Sequence, residues 1–411
     1  MNYELFIAKR IIAAKQYKSN ISSPIIKIAI IAIALGMVVM LIAVATGQGL
    51  QQKIREKLTG FNGHVQITNF DNNNSEITLN AVSKNQEFYP KFKNLEGITN
   101  VQVYATKAGI IRTETDFEGI VFKGVGAEYN WKFFSDYLVK GNLPDYSDDV
   151  SNEVLISEEI SNRLQINLGD TFNILFVKDD PSRAPWIRVL KAVGIYNSGF
   201  QDFDENFVLA DIRHVQKMNK WQPDEVGGFE VILNDFDAIN EKSNQIYQQT
   251  GSTLNSQSIV EKYPAIFEWI NLFDNNIYVI IAIMILVAGI NMITALLVLI
   301  LERTQMVGIL KALGSHNKSI RKIFIYNAGY LILKGLFWGN LIGLSILLAQ
   351  KYGGFISLNP QSYYVSKVPI HLNLIYLLGL NVGTLLLCLL MLVVPSLIIT
   401  KISPVKSIKF E

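Results

Sequence analysis

Four long apolar runs, separated by polar segments, organise the chain. They cover residues 25–52, 275–301, 323–350 and 372–400. The second run holds 27 residues without a charge. A helix that rises ~1.5 Å per residue needs only about 20 residues to cross the hydrocarbon core of a bilayer. The pattern therefore predicts four membrane-spanning helices.

The segment between the second and third runs, residues 302–322, is short and basic. Against Glu302 alone it carries five basic side chains, which are Arg303, Lys311, Lys318, Arg321 and Lys322. Short connections rich in Lys and Arg stay on the cytosolic side of a membrane. The sequences next to both chain ends are basic as well. We therefore expect this segment and both termini to be cytosolic.

The region between the first two runs, residues 53–274, is long, polar and acidic. It carries 21 Lys and Arg against 32 Asp and Glu, a net charge of −11. Short β-rich runs alternate with helical patterns in it, separated by Gly and Asp/Asn clusters. Residues 152–176 read as strand, helix, Gly-Asp turn and strand, and the polar loop that follows predicts a projecting hairpin. The expected fold is an integral membrane protein with four transmembrane helices and a large α+β domain inserted between the first and second.

The expected organisation follows from these patterns. Its parts are a cytosolic amphipathic elbow helix (1–24), the first span (25–52), the external α+β domain (53–274), the second span (275–301), a cytosolic loop (302–322), the third span (323–350), a short external loop (351–371), the fourth span (372–400) and a cytosolic tail (401–411). The first helix is expected to project beyond the membrane until Gly60 and Gly63 end it.

Within the loop 302–322, four apolar residues recur at helical spacing. Met306, Ile309, Leu310 and Leu313 stand at i, i+3, i+4 and i+7, and Gly314 follows at the position where helices commonly end. A helix this short has nothing of its own to pack against. It therefore buries this stripe in the groove of a partner protein, or it lies in the lipid headgroup layer as a surface connector.

The third run contains two features that affect packing. Gly335, Gly339 and Gly343 form one small-residue face, which lets another helix approach closely, either in the same chain or in a second one. Lys334 lies well inside the span. A charge at such depth faces a bundle interior or wet cavity, or else the lysine snorkels along a tilted helix.

Motifs of catalysis and metal binding are missing from the sequence. It has no GxxxxGK[ST] phosphate loop, HExxH, CxxC or GxSxG, so the chain is not itself a P-loop ATPase. We expect no enzyme activity, cofactor, metal or nucleic-acid partner; a membrane hydrolase built from non-local residues is the remaining alternative. Cys388 is the only cysteine and excludes an intramolecular disulfide, and His64 is expected to be structural.

Several stretches resemble one family. They are ERTQMVGILKALG (302–314), VGIYNSGFQDFDENFV (193–208), EWINLFDNN (268–276) and VAGINMITALLVLILER (287–303). The chain resembles the lipoprotein-releasing permeases, in the superfamily of four-span ABC permeases that includes the FtsX and MacB types. The resemblance implies an inner-membrane subunit that works with a pair of separate ATP-binding ATPase subunits and with a second permease, either a copy or a sister chain. It assigns ATPase coupling to Met306, Ile309, Leu310, Lys311, Leu313 and Gly314.

The same resemblance bears on the predicted hairpin loop, residues 178–186. In the family, the loop at this position belongs to a hook that recruits a periplasmic carrier, which points to Asp180, Pro181, Arg183, Pro185 and Trp186; an ordinary hairpin tip is the alternative. The implied function is extraction of acylated lipoproteins from the inner membrane and their transfer to that carrier. A signalling permease of the FtsX type, which activates a cell-wall hydrolase, and an efflux subunit of the MacB type are the other possibilities.

Overall fold

The structure, a computed structural model, describes residues 3–13, 22–72, 75–114, 116–178 and 184–402. The chain divides into two units. We call Met1–Leu50, Trp269–Ser357 and Lys367–Glu411 the membrane unit, and Gln51–Glu268 with Leu358–Ser366 the sheet unit. The described helices are α1 (Tyr3–Ala13), α2 (Ser22–Asn62), α3 (Lys132–Asp136), α4 (Glu158–Leu164), α5 (Gln201–Asp204), α6 (Ile212–Asn219), α7 (Ile239–Gln249), α8 (Ile259–Lys262), α9 (Pro264–Glu302), α10 (Thr304–Ala312), α11 (Asn317–Gly353), α12 (Pro360–Tyr363), α13 (Leu374–Met391) and α14 (Ile398–Lys401).

Four of these helical segments are long and apolar enough to cross a membrane. They are α2, α9, α11 and the segment Leu374–Lys401. With 41 residues, α2 is about 60 Å long, roughly twice the hydrocarbon thickness. It ends at Asn62, where Gly63 takes a left-handed conformation (φ +70°) that glycine adopts without steric penalty. The fourth segment is interrupted: α13 ends at Met391 because Pro395 has no N–H to give to the carbonyl four residues earlier.

The small-residue face of α11 packs against α2 of the same chain. A Cβ atom on Gly339 would lie 2.7 Å from Cβ of Met37 and 2.8 Å from the carbonyl oxygen of Ala34. One on Gly335 would meet Ile33 at 2.8 Å, and one on Gly343 would meet Leu41 at 2.9 Å. The glycines therefore bring two helix backbones together within one chain. Of the two alternatives left open by the sequence, the structure shows the intrachain contact.

A pair of amides joins α11 to α13. The Nδ2 group of Asn340 donates to Oδ1 of Asn381 at 2.7 Å, and Nδ2 of Asn381 donates back to Asn340 at 3.0 Å. Each amide also donates to the carbonyl four residues earlier in its own helix, Leu336 or Leu377. In a lipid environment such a reciprocal bond fixes the register of two apolar helices.

Lys334 lies on the outside of the membrane unit. Its side chain is exposed, as are those of the neighbouring Leu333, Phe337 and Trp338. The interpretation that Lys334 faces the interior of the bundle is therefore wrong for the single chain. The reason is geometric: Gly335 and Gly339 occupy the α11 face against α2, so residue 334 points away from it.

Within the described residues, the sheet unit is built on a mixed sheet of ten strands. The described strands are β1 (Val65–Asn69), β2 (Val82–Ser83), β3 (Ile98–Arg112), β4 (Phe117–Val125), β5 (Leu138–Gly141), β6 (Glu153–Ser157), β7 (Thr171–Phe176), β8 (Trp186–Tyr196), β9 (Phe207–Asp211), β10 (Glu225–Val226), β11 (Gly228–Leu233) and β12 (Leu254–Ser258). The order is β12-β1-β11-β3-β4-β9-β6-β8-β5, with β7 paired to β3 and β8, while β10 and β2 form a small second sheet. Most pairs are antiparallel; β4 with β9 and β6 with β8 are parallel. The predicted α+β domain is thus present between the first and second membrane helices.

We predict that Gly339→Ala lowers the free energy of unfolding by about 1–3 kcal/mol, because its methyl group would overlap Met37 and the Ala34 carbonyl. Gly379→Ala is the matched control: it also lies in a membrane helix, and nothing stands within 4 Å of an added Cβ. It should be neutral or slightly stabilising. Thermal unfolding of the purified chain in detergent measures both, and equal effects would contradict the close α2–α11 packing.

Candidate functional site

The connection between the second and third membrane helices is held by its own chain. In α10, Val307 is fully buried, and Met306 and Leu310 pack against a cluster of Ala8, Ile11 and Ile323. The expectation that this helix has nothing of its own to pack against is therefore wrong. The N-terminal helix α1 supplies the missing partner, and its position could not be read from the spacing within 302–322.

Hydrogen bonds secure α1 at this place. The hydroxyl groups of Tyr3 and Ser315 lie 3.2 Å apart, and Ser319 donates to the carboxylate of Glu4 at 3.1 Å. Hydrogen bonds to this carboxylate, from the Glu4 backbone first and then from Ser319, hold the pKa of Glu4 below its ordinary value. The carboxylate also stands near the positive end of α11, which begins at Asn317.

The predicted stripe consequently divides between two faces. Met306 and Leu310 are half-buried, whereas Ile309 is 47% and Leu313 78% exposed. Gly314 takes φ +87° just after the end of α10, as the sequence predicted. The apolar surface that α10 offers to another molecule therefore consists of Ile309 and Leu313.

Lys311 connects α10 to the end of the fourth membrane segment. Its ammonium donates to the carbonyl oxygens of Ile399 and Ile402, both at 2.7 Å, and lies 3.4 Å from that of Thr400. Helix-terminal carbonyls carry partial negative charge, so a cation there is stabilising. Burial lowers the pKa of Lys311. Its structural role is thus to fix α10 to α14.

The predicted hairpin is formed by β7 and β8, which pair antiparallel from Thr171↔Lys191 to Phe176↔Trp186. The ammonium of Lys178 lies 4.5 Å from the centre of the Trp186 ring. The guanidinium carbon of Arg188 lies 5.8 Å from the same ring centre. Pro185 and Trp186 are exposed. The other three residues assigned to carrier docking, Asp180, Pro181 and Arg183, lie outside the described residues.

A groove opens beside strand β8 of this hairpin. It has a volume of about 420 Å³ and combines basic side chains with apolar ones; its lining includes Arg188, Lys217, His214, Ile187 and Val189. The Nε group of Arg188 is buried there without a hydrogen-bond partner. Such a lining suits a ligand that carries both carboxylates and apolar groups.

The end of α2 is fastened to the centre of the sheet by a buried ion pair. The Lys123 ammonium on β4 donates to Glu230 on β11 at 2.6 Å and also to the carbonyl oxygen of Phe61 in the last turn of α2. Gln102 on β3 donates to the other Glu230 oxygen at 2.9 Å. Lys123 and Glu230 are almost fully buried. This group was not predicted from the sequence, although single charges within the apolar runs IVFKGV and FEVIL were a visible signal.

An aromatic cluster surrounds the same helix end. The ring of Phe61 stacks on Phe203 with centres 4.5 Å apart and meets Phe134 edge-on at 5.2 Å. Tyr196 and Phe207 border the same ring. Phe203 and Phe207 belong to the VGIYNSGFQDFDENFV stretch, so this motif contributes directly to holding α2.

Two histidines of the sheet unit, His64 and His214, have structural roles. Nδ1 of His64 accepts the backbone N–H of Leu233 at 3.2 Å, and burial lowers the pKa of His64 to about 4. His214 bonds the Ser151 carbonyl through Nε2 at 2.9 Å. In the part of the chain that the structure describes, no group of three His, Cys, Asp or Glu side chains could hold a metal ion.

Comparisons with known proteins agree with this architecture. The family model described as the MacB-like periplasmic core domain matches residues 28–249, and the FtsX-like permease C-terminal model matches residues 278–404. Together the two matches define a four-span membrane permease with a periplasmic-type domain inserted after its first helix. The chain belongs to the family with a MacB-like periplasmic core domain, and its C-terminal part matches the FtsX-like permeases. Permeases of this class are subunits of ABC transporters, whose ATPase activity lies in a separate subunit.

Two relatives from Haemophilus influenzae match along nearly their whole length. The lipoprotein-releasing system transmembrane protein LolE is 21% identical, over 98% of this chain and 98% of its own. The corresponding protein LolC is 22% identical, over 100% of both chains. Among solved structures, the periplasmic region of MacB from Actinobacillus actinomycetemcomitans aligns at 15% identity, covering 50% of this chain and 92% of its own, with a TM-score of 0.34.

We predict that Lys123→Met alone destabilises the chain by about 3–5 kcal/mol, because it leaves the buried Glu230 carboxylate without its counter-charge. The double variant Lys123→Met/Glu230→Leu should be closer to the parent than either single variant, since it removes both buried charges together. Chemical unfolding of the parent, the two single variants and the double variant in detergent measures the free energy of unfolding of each. Additive effects of the two substitutions would show that the pair does not act as a unit.

Proposed function

We propose that this chain is the permease subunit of an ATP-driven lipoprotein-releasing complex. It extracts acylated lipoproteins from the inner membrane and passes them to a soluble periplasmic carrier. The observation that carries the proposal is similarity over 98% of the chain to a lipoprotein-releasing transmembrane protein, which spans both the membrane and the sheet parts. Extraction needs an energy source, since baring one lipid chain costs about 10 kcal/mol at ~0.8 kcal/mol per CH₂.

The proposed orientation places α10 and both chain ends in the cytosol and the sheet unit in the periplasm. The short segments that flank the membrane helices carry the basic residues, whereas region 53–274 is acidic. Short basic segments decide orientation, and long acidic loops translocate regardless of their charge. The ATPase subunits would then meet the exposed end of α10.

In the proposed mechanism, α10 couples ATP hydrolysis to the membrane helices. Ile309 and Leu313 are the exposed apolar residues that an ATPase groove would cover, next to the turn at Gly314. Met306 and Leu310 pass displacement to α1 and α11, and Lys311 passes it to α14. Two ATPase subunits and a second permease, a copy or a sister chain, would complete the complex.

The hairpin loop 178–186 is the proposed contact for the carrier. The ring of exposed Trp186 is in contact with the cations of Lys178 and Arg188, and tryptophan and arginine are frequent in interface hot spots. The basic groove next to it would receive acidic side chains of the carrier, beside the apolar surface of Ile187 and Val189. This arrangement supports a docking face of mixed basic and apolar character.

The coupling role predicts that substitutions of Leu310, in α10, and of Leu313, in the turn after it, have different effects. Leu313→Asp should leave the fold intact, because residue 313 is 78% exposed, and should lower lipoprotein release by the reconstituted complex at least tenfold, because a charge would enter an apolar groove. Leu310→Asp should instead lower the thermal stability of the chain alone, since Leu310 packs against its own core. Release from proteoliposomes, with ATP and carrier supplied, is the measurement.

Orientation is the control for this experiment. In a Cys388→Ala background, Ser252→Cys should react with an impermeant thiol reagent added outside intact spheroplasts, whereas His316→Cys should not; both sites are exposed.

Unchanged release by Leu313→Asp, with the parent complex active, would refute coupling through α10. A parent complex that hydrolyses ATP but releases no lipoprotein would refute the function and favour a signalling permease.

The carrier contact predicts that shortening 178–186 to a two-residue turn abolishes carrier binding while the fold and membrane assembly remain, because the pairs of β7 and β8 from Thr171↔Lys191 to Leu175↔Ile187 are kept. Arg188→Glu should weaken binding, and added salt should reduce the difference from the parent. Calorimetry with the detergent-solubilised chain measures the affinity. Unchanged affinity in the shortened chain would refute the assignment.

A further inference from the structure

Part of the connection between the third and fourth membrane helices belongs to the sheet unit. Residues Leu358–Ser366 pack there, although the chain on either side of them belongs to the membrane unit. The segment contains α12 and the residue Val365, which is only 4% exposed. What holds these nine residues is a small set of contacts around Tyr364.

Lys57 makes the polar contact, from the part of α2 that lies beyond the predicted span and belongs to the sheet unit. Its ammonium donates to the carbonyl oxygen of Tyr364 at 2.8 Å, and the side chain is almost completely buried. Tyr364 has a left-handed backbone (φ +57°), which is unfavourable for a residue with a Cβ and persists only where neighbours fix it. A charged donor on the Tyr364 carbonyl is one such constraint.

The second constraint is aromatic. The ring of Tyr364 stacks on Phe200, with centres 4.8 Å apart and planes 19° from parallel. Phe200 is itself fully buried and lies in the turn 198–204 of the VGIYNSGFQDFDENFV stretch. The tip of the connection is therefore clamped between a helix and a turn of the same unit.

The turn is shaped by Asp204. Its carboxylate accepts the hydroxyl of Ser198 at 2.6 Å and the backbone N–H of Gly199 at 2.9 Å. Gly199 has φ +64°, and a Cβ there would stand 3.2 Å from Nζ of Lys57. The Lys57 ammonium thus lies directly against this turn, so helix, turn and connection meet at one point.

Burial shifts the pKa values of the two charged groups at this point in opposite directions. Burial lowers the pKa of Lys57 to about 8 and raises the pKa of Asp204 to about 6. The charges that act on Lys57 are Asp204 from the turn, and Lys53 and Glu56 from its own helix; the ring of Tyr137 lies 5.9 Å away. Burying a lysine is unfavourable, so an apolar residue would serve better if filling space were its only role.

We propose that Lys57 is a positioning residue, which together with Phe200 forms a seat that makes the connection between the third and fourth membrane helices move with the sheet unit. Displacement of those helices would then reach the turn 198–204 through Tyr364 and Val365, in addition to any path through α2. The seat itself rests on geometry alone. Its part in transport rests on the function proposed above.

Thiol reactivity of a buried reporter tests the seat. In full-length chain in nanodiscs that carries Cys388→Ala and Val365→Cys, the introduced thiol should react slowly with a water-soluble maleimide. Lys57→Met keeps the apolar stem and removes the charged donor, so it should speed labelling about tenfold, the factor that corresponds to one lost charge-assisted hydrogen bond. Lys57→Arg should restore most of the protection.

Two further variants separate the seat from general damage. Tyr364→Ala should raise the labelling rate at least as much as Lys57→Met, whereas Tyr352→Ala, at a residue that is 82% exposed, should leave it unchanged. Thermal unfolding confirms that each variant is folded. Equal labelling of the parent and folded Lys57→Met would overturn the seat, as would an equal increase in Tyr352→Ala.

Release activity then tests the part in transport. Folded Lys57→Met should release lipoprotein severalfold more slowly than the parent, with ATPase binding unchanged and rescue by Lys57→Arg. Faster labelling together with unchanged release would overturn the coupling role and leave the seat standing. If the parent itself releases no lipoprotein, the proposed function fails, and the labelling result decides the seat independently.

Discussion

The buried ammonium of Lys123 determines how the sheet unit holds the first membrane helix. It neutralises Glu230 and caps the Phe61 carbonyl at the same time, so strands β4 and β11 and the last turn of α2 share one cation. Removing a charge pair from water is expensive, and it is tolerated only where geometry satisfies both partners. Here Gln102 supplies the second bond to Glu230. Because the aromatic ring of Phe61 is enclosed as well, the end of α2 can neither slide nor rotate against the sheet without breaking these contacts.

The first membrane helix, α2, is longer than a bilayer crossing requires. The helix is continuous from Ser22 to Asn62 and contributes residues to both units. In the membrane unit, the glycine face of α11 lies against Ile33, Met37 and Leu41 of α2. A continuous helix transmits displacement along its axis, and close packing transmits it sideways, because packed interfaces shift between discrete arrangements and do not deform smoothly. The first helix is therefore one continuous element, with residues 22–50 in the membrane unit and residues 51–62 in the sheet unit.

The sequence predicted best what depends on neighbours close in the chain. Length and hydropathy located the four membrane helices, a helix was predicted between two strands of 152–176 where α4 lies, and Gly63 and Gly314 stand just beyond helix ends. Prediction failed where burial depends on distant residues. Nothing within 302–322 shows that α1 covers Met306 and Leu310 and leaves Leu313 exposed. Likewise, the side of α11 on which Lys334 lies follows from the glycine contacts with α2, some 300 residues earlier.

The polar residues whose contacts sequence reasoning did not predict share one property: each joins two segments that apolar packing alone would leave free to slide. Asn340 and Asn381 fix the register of α11 and α13, and Lys311 fixes α10 to α14. In the sheet unit, Lys57 and Lys123 act on the two segments that continue into membrane helices, the 358–366 connection and the end of α2. Apolar substitutes for a buried ion pair are often as stable or more so, so the burial of these charges is not by itself evidence of greater stability. Each of these polar contacts joins two segments of the same unit.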